Sequence, residues 1–139
     1  MSAVLAPRSR PHAAARVVLL GTGGVGRALL QRLATLRERG LAAAPLSDDD
    51  APPSAVAVGT MHRAKGLEFK AVLVLSAGAD SLPARGALNA AADPADRDAV
   101  LDRERQLLYV AMTRARDLLR VTWAGAPSPF LAPLFAESP

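Results

Sequence analysis

Apolar residues fall in short blocks divided by glycine, proline and acidic stretches, and the period inside each block predicts its element. Residues 1 to about 15 show no period and carry Pro7 and Pro11, so they are expected to form a disordered N-terminal arm. Arg16-Val-Val-Leu-Leu20 is an apolar, β-branched run that stops at glycines, as a buried strand does. Gly21 to Gly26 read as a loop. Leu29, Leu30, Leu33 and Leu36 then share one face of a helix over residues 27 to 39, and Gly40 stands where a C-terminal cap belongs. Residues 41 to 47, rich in alanine and proline, make a poor strand, and Ser47 to Ser54 reads as an acidic, proline-bearing connector.

Ala55 to Val58 predicts a second strand. Ala71 to Leu75 is a continuous apolar run, as expected for a strand covered on both faces. Residues 76 to about 98 read as a loop with one helical turn. Val100 to about Asp117 is the longest predicted helix, with Leu101, Leu108, Ala111 and Met112 facing inward and Glu104 and Arg105 on its surface. Leu118 to Trp123 is a fourth strand, and Ser128 is positioned to cap a last short helix that Pro133 disturbs. Strands and helices alternating in this way form an open, largely parallel α/β sheet, here expected over residues 16 to 136.

Composition narrows the chemistry only a little. With 50% apolar residues in 139, the chain can bury one domain's core, mostly of alanine, leucine and valine. It has no cysteine, so a disulfide framework and a thiolate metal site are excluded, and a reducing cytoplasm is the expected compartment. No apolar run reaches the roughly 18 residues of a membrane span. The net charge of +4, carried mainly by arginine, permits a polyanionic partner without specifying one.

Two segments carry candidate chemistry. Gly21-x-Gly23-x-x-Gly26 lies between a predicted strand and a predicted helix, the setting of a dinucleotide-binding loop. Its glycines would let backbone amides approach a pyrophosphate at the helix N-terminus. Asp48 has the spacing of a ribose-binding acid, but the strand that should deliver it is poor, and no second half of such a fold follows. A tight strand-to-helix turn explains the same glycines.

The second segment is more specific. Val58-Gly-Thr60-Met-His62-Arg-Ala-Lys65-Gly66-Leu-Glu68-Phe69-Lys-Ala-Val72 resembles motif V of UvrD/Rep-type superfamily 1 DNA helicases. Glu104-Arg-Gln-Leu-Leu-Tyr109-Val-Ala-Met-Thr113-Arg114-Ala115-Arg116 resembles their motif VI, in the expected order. The resemblance implies a three-layer, RecA-like α/β domain, the second motor domain of such a helicase. It also places Thr60 and His62 against single-stranded or duplex DNA, and Gly66 and Glu68 on the nucleotide. Arg114 would reach the γ-phosphate of ATP as a catalytic, charge-neutralising arginine. Lys65-Gly66 is not a P-loop, since no Gly-x-x-x-x-Gly-Lys-Ser/Thr precedes it. Tyr109 and Met112 are expected to pack.

The resemblance covers one wall of an ATP cleft. ATP and its Mg²⁺ are therefore expected to bind through a P-loop ATPase domain supplied in trans or lost upstream, and hydrolysis by this chain alone is not expected. The alternatives are a dinucleotide-binding module of NAD(P) type using Gly21 to Gly26, or a non-catalytic helicase remnant that binds a partner protein.

Overall fold

Short apolar runs become the strands of one six-stranded sheet in a computed structural model of the chain, which describes residues 2–5, 17–21, 23–47 and 54–136. The strands are β1 (Ser2–Leu5), β2 (Val17–Gly21), β3 (Ala43–Pro45), β4 (Val56–Thr60), β5 (Phe69–Leu75) and β6 (Ala115–Thr122). Their order across the sheet is β1-β6-β5-β2-β4-β3. Every neighbouring pair is parallel except β1 with β6. The expected α/β fold with an open, mostly parallel sheet is therefore present.

Four α-helices, α1 (Gly23–Gln31), α2 (Leu33–Glu38), α3 (Arg85–Asn89) and α4 (Pro94–Thr113), join two 3₁₀ turns at Met61–Ala64 and Pro129–Leu134. Strand alternation sends Val18 and Leu20 of β2 and Val72 and Val74 of β5 to one side, where Met61, Leu108 and Ala111 complete the larger core. Leu19 faces the other way and packs with Leu29, Leu30, Leu33 and Leu36 of α1 and α2. The sheet is thus the middle of three layers. The second helical layer covers the β2–β4–β3 half. Beyond it Leu73 stays half-buried and Leu118 is exposed, so β5 is fully covered on one face only, not on both as its sequence suggests.

Several boundaries move for identifiable reasons. Ser2–Leu5, assigned to the disordered arm, pairs with Leu119–Thr122 as an antiparallel edge strand; residues 6–16 lie outside the described residues. The loop at Gly21 to Gly26 is already helix from Gly23, and Arg32 interrupts the helix expected over residues 27 to 39. Ala43–Pro45 is a strand despite its composition. At the sheet edge, backbone pairing to β4 is all it needs, and proline is tolerated there. The connector is described only at Ser47 and Ser54, and Asp48 is outside the described residues.

Residues 76 to 98 hold more helix than expected. Asp93 accepts a hydrogen bond from the Asp96 N–H at 2.9 Å and starts α4 with Pro94 in its first turn. The same helix stops earlier than expected, so Arg114 is its C-cap and Ala115 to Asp117 belong to β6. Ser128 caps the last turn as anticipated, accepting from the Phe130 N–H, but that turn is 3₁₀.

Candidate functional site

All five parallel strands point the same way, so the sheet has a carboxyl edge and an amino edge, and the candidate residues divide between them. Thr60 is the last residue of β4, level with Gly21 of β2, at the carboxyl edge where open α/β sheets take ligands. Its hydroxyl makes no capping bond to the 3₁₀ turn that follows. In that turn Met61 and Ala64 are buried, which leaves His62 and Arg63 exposed on the opposite side. Residues 61–68 then carry the chain over β2 and back down to the start of β5. Gly66 turns this crossover with φ +79°, a conformation that suits glycine.

Glu68 and Arg114 meet at the amino edge. The Phe69 N–H donates to the Arg114 carbonyl at 2.9 Å, and Phe69 is the register partner of Ala115, so the residues preceding β5 and β6 lie side by side. Glu68 is exposed and Arg114 half-buried. The Arg114 guanidinium folds back on its own helix end: Nε donates to the Val110 carbonyl at 3.1 Å and Nη2 to Thr113 Oγ1 at 3.4 Å. Nη1 makes no hydrogen bond among the described residues, so the group retains donors for an anion. Of the candidates, Thr60 and His62 come together at one edge; the backbones of Glu68 and Arg114 lie side by side at the other, with Gly66 in the crossover between.

Between the edges runs α4, which packs on the 3₁₀ turn that holds His62. A cavity of about 490 Å³ opens between α1, this turn, α3 and α4; Arg27, His62, Arg85, Glu104 and Leu107 are among its lining residues. His62 and Glu104 also line an adjoining cavity of about 380 Å³ with Lys65 and Arg103. Glu104, assigned by its sequence context to the helix surface, thus lines both cavities. Its signal was available: residues 104, 108 and 111 share one helical face, and Leu108 and Ala111 are core. Arg27, Arg63 and Arg85 had no such signal. Tyr109, expected to pack, is 68% exposed, whereas Met112 does pack against the core.

The glycine triplet has a steric account. A Cβ on Gly21 would lie 2.5 Å from the Gly26 nitrogen, and one on Gly26 would lie 2.9 Å from Thr60 Cγ2. Both positions are consumed by α1 pressing on β2 and β4, which is the tight-turn explanation of the motif.

Comparison with known proteins identifies the family and agrees with the fold. The family described as the UvrD-like helicase C-terminal domain matches residues 28–126. The putative ATP-dependent DNA helicase YjcD of Bacillus subtilis is 50% identical over 60 residues, covering 43% of this chain and 8% of the relative. The ATP-dependent DNA helicase UvrD2 of Mycobacterium tuberculosis is 40% identical over 74 residues, covering 53% of this chain and 10% of the relative. The chain therefore spans about a tenth of the length of these relatives. The crystal structure of the C-terminal domain of a possible DNA helicase from Lactobacillus plantarum superposes with a TM-score of 0.54 at 25% identity, covering 86% of this chain and 62% of that one. With more than half of its residues matched, and with the fold of a helicase C-terminal domain, the chain belongs to the UvrD-like helicase C-terminal domain family.

Proposed function

We propose that this chain is the second motor domain of a UvrD-like, ATP-dependent DNA helicase, contributing a DNA-facing edge and a nucleotide-facing edge to a machine completed by a P-loop domain. The observation that carries this reading is the division of one continuous segment between the two edges. Thr60 and His62 stand at the carboxyl edge, and Glu68, a few residues later, stands beside Arg114 at the amino edge. On this reading the Thr60 hydroxyl donates to a DNA phosphate, and His62 stacks on a base or donates to the backbone. Gly66 and Glu68 border the nucleotide, with the carboxylate accepting from ribose hydroxyls.

Arg114 would leave its helix-end carbonyl and present its guanidinium to the γ-phosphate, offsetting charge that develops as the phosphoryl group transfers. Mg²⁺ is assigned, with the phosphates it bridges, to the P-loop domain. ATP supplies the transferable phosphoryl group; this chain's share is to orient it and to hold the DNA.

A reconstituted assembly of this chain with a P-loop ATPase domain tests the division of labour. Arg114→Ala should lower DNA-stimulated ATP turnover by about 10³-fold, as loss of a phosphate-neutralising arginine does, and leave oligonucleotide binding intact. His62→Ala should weaken oligonucleotide binding by about 1–3 kcal/mol, the range for one stacked base. If both substitutions impair only one of the two activities, the two-edge reading fails. Robust ATP hydrolysis by the isolated chain would contradict the need for a second domain.

A further inference from the structure

Motif positions account for Thr60 and His62 at the carboxyl edge but not for the arginines around them. We propose that Arg27, Arg63 and Arg85 extend that edge into a continuous track for consecutive phosphates of single-stranded DNA, with Arg27 as its central contact. The inference rests on the DNA-facing reading above and adds residues to it.

Two depressions open at this edge and share one residue. The smaller, of about 230 Å³, is lined by Arg27, Thr60 and Arg63, with Ser47 at its rim. The larger, of about 490 Å³, is lined by Arg27, His62 and Arg85. Arg27 thus stands on the divide between the Thr60 side and the His62 side, where a strand touching both must pass.

The charges are available. Arg27 and Arg63 are exposed, and neither makes an ion pair or side-chain hydrogen bond among the described residues. Arg85 pairs with Asp80 at 3.2 Å, but the two side chains are 75% and 92% exposed. Such a pair contributes little and yields readily to a phosphate. Guanidinium forks match phosphate oxygens better than ammonium groups do. The mounting is firm as well: Gly26 seats α1 directly on Thr60, which fixes where the backbone of Arg27 lies relative to the Thr60 hydroxyl.

Among the described residues that line the two depressions, one acid limits the path. Glu104 lines the larger depression from α4, with Leu107 beside it. A phosphate is repelled from that wall, so the backbone keeps to the arginine side. The bases then turn toward His62, Leu107 and Glu104, where exocyclic amino groups can donate to the carboxylate.

The test is the salt dependence of binding between the purified chain and a fluorescein-labelled single-stranded oligonucleotide of mixed sequence, followed by anisotropy. Each phosphate contact removed should reduce the slope of log K against log salt by about 0.7 for a single strand. Arg27→Ala should therefore lower the slope by about 0.7, and Arg27→Ala with Arg63→Ala by about 1.4. Arg27→Lys should keep the slope, and Arg97→Ala on the exposed surface of α4 should leave it unchanged. ATP should not displace the oligonucleotide.

Wild-type binding that His62→Ala weakens, with a slope indifferent to Arg27 and Arg63, would overturn the track and spare the DNA-facing edge. No binding by the wild type at low salt would overturn both. Displacement by ATP that depends on Arg27 would overturn the track in favour of a nucleotide pocket. Circular dichroism confirms that each variant is folded, and Arg27→Gln serves if the alanine variant is not.

Discussion

Two connections in this domain begin alike and end in opposite ways. Gly21 ends β2 and Thr60 ends β4, on neighbouring parallel strands with Gly21 and Thr60 in register. Beyond the first strand the chain enters α1 at Gly23, and the early turns of that helix lie so close to the sheet that two positions have no room for a side chain. After the second it makes a single 3₁₀ turn that buries Met61 and Ala64 and presents His62 and Arg63. Backbone proximity organises the first connection, and side-chain plugs organise the second. The glycine-rich stretch is therefore a packing device, and the less regular one presents exposed side chains at the carboxyl edge.

This contrast predicts opposite responses to substitution. Met61 is 1% exposed at the centre of the larger core, so Met61→Ala should cost about 4 kcal/mol in urea unfolding, within the range for large-to-small core changes. A cost below about 1 kcal/mol would mean that the second connection is not held by its plug. Gly21→Ala works in the reverse direction. The added carbon meets backbone that cannot rotate away, and about 3 kcal/mol should be lost, the upper part of the overpacking range.

Gly26→Ala joins the two connections, because its Cβ meets Thr60. It should cost about 2 kcal/mol and also weaken oligonucleotide binding, through displacement of Thr60. Unchanged affinity with reduced stability would show that the hydroxyl need not sit where it does. Gly24 has open space around its Cβ position inside α1, so Gly24→Ala should stabilise the chain by about 0.5 kcal/mol. That small gain sharpens the comparison further: within one short stretch the open position accepts a side chain where Gly21 and Gly26 do not.

The parts of the fold legible in the sequence were those that hydrophobic period controls. The runs at Val17–Leu20, Val56–Val58 and Ala71–Leu75 became strands because aliphatic residues there fill the two cores. What period does not control was missed. Ala43–Pro45 is a strand by virtue of its neighbour β4, and α1 begins inside the glycine-rich stretch, at Gly23, where no apolar period marks a helix. The start of α4 was written in Asp93-Pro94-Ala-Asp96, a capping signal that a surrounding alanine-rich stretch obscured.

The proposed site residues divide along similar lines. Thr60, His62, Gly66, Glu68 and Arg114 are proposed from their spacing within two motifs. Glu104 enters through the helix face on which it lies. Arg27 and Arg85 come from α1 and α3, elements far apart in sequence, and only the folded chain brings them to one cavity.

The crossover after β4 has a mechanical consequence. Thr60 is level, through Gly21, with Leu75 at the far end of β5, and the chain must return to Phe69 at its near end. That return covers about 20 Å along the sheet and about 10 Å across two strand spacings. The segment makes that return through two compact turns, the 3₁₀ turn at Met61–Ala64 and a turn at Gly66 closed by the Leu67 N–H donating to the Ala64 carbonyl at 3.1 Å. With the first turn packed against α4, the crossover has few ways to bend. A displacement at Thr60 is therefore passed along a short, stiff strut toward Glu68.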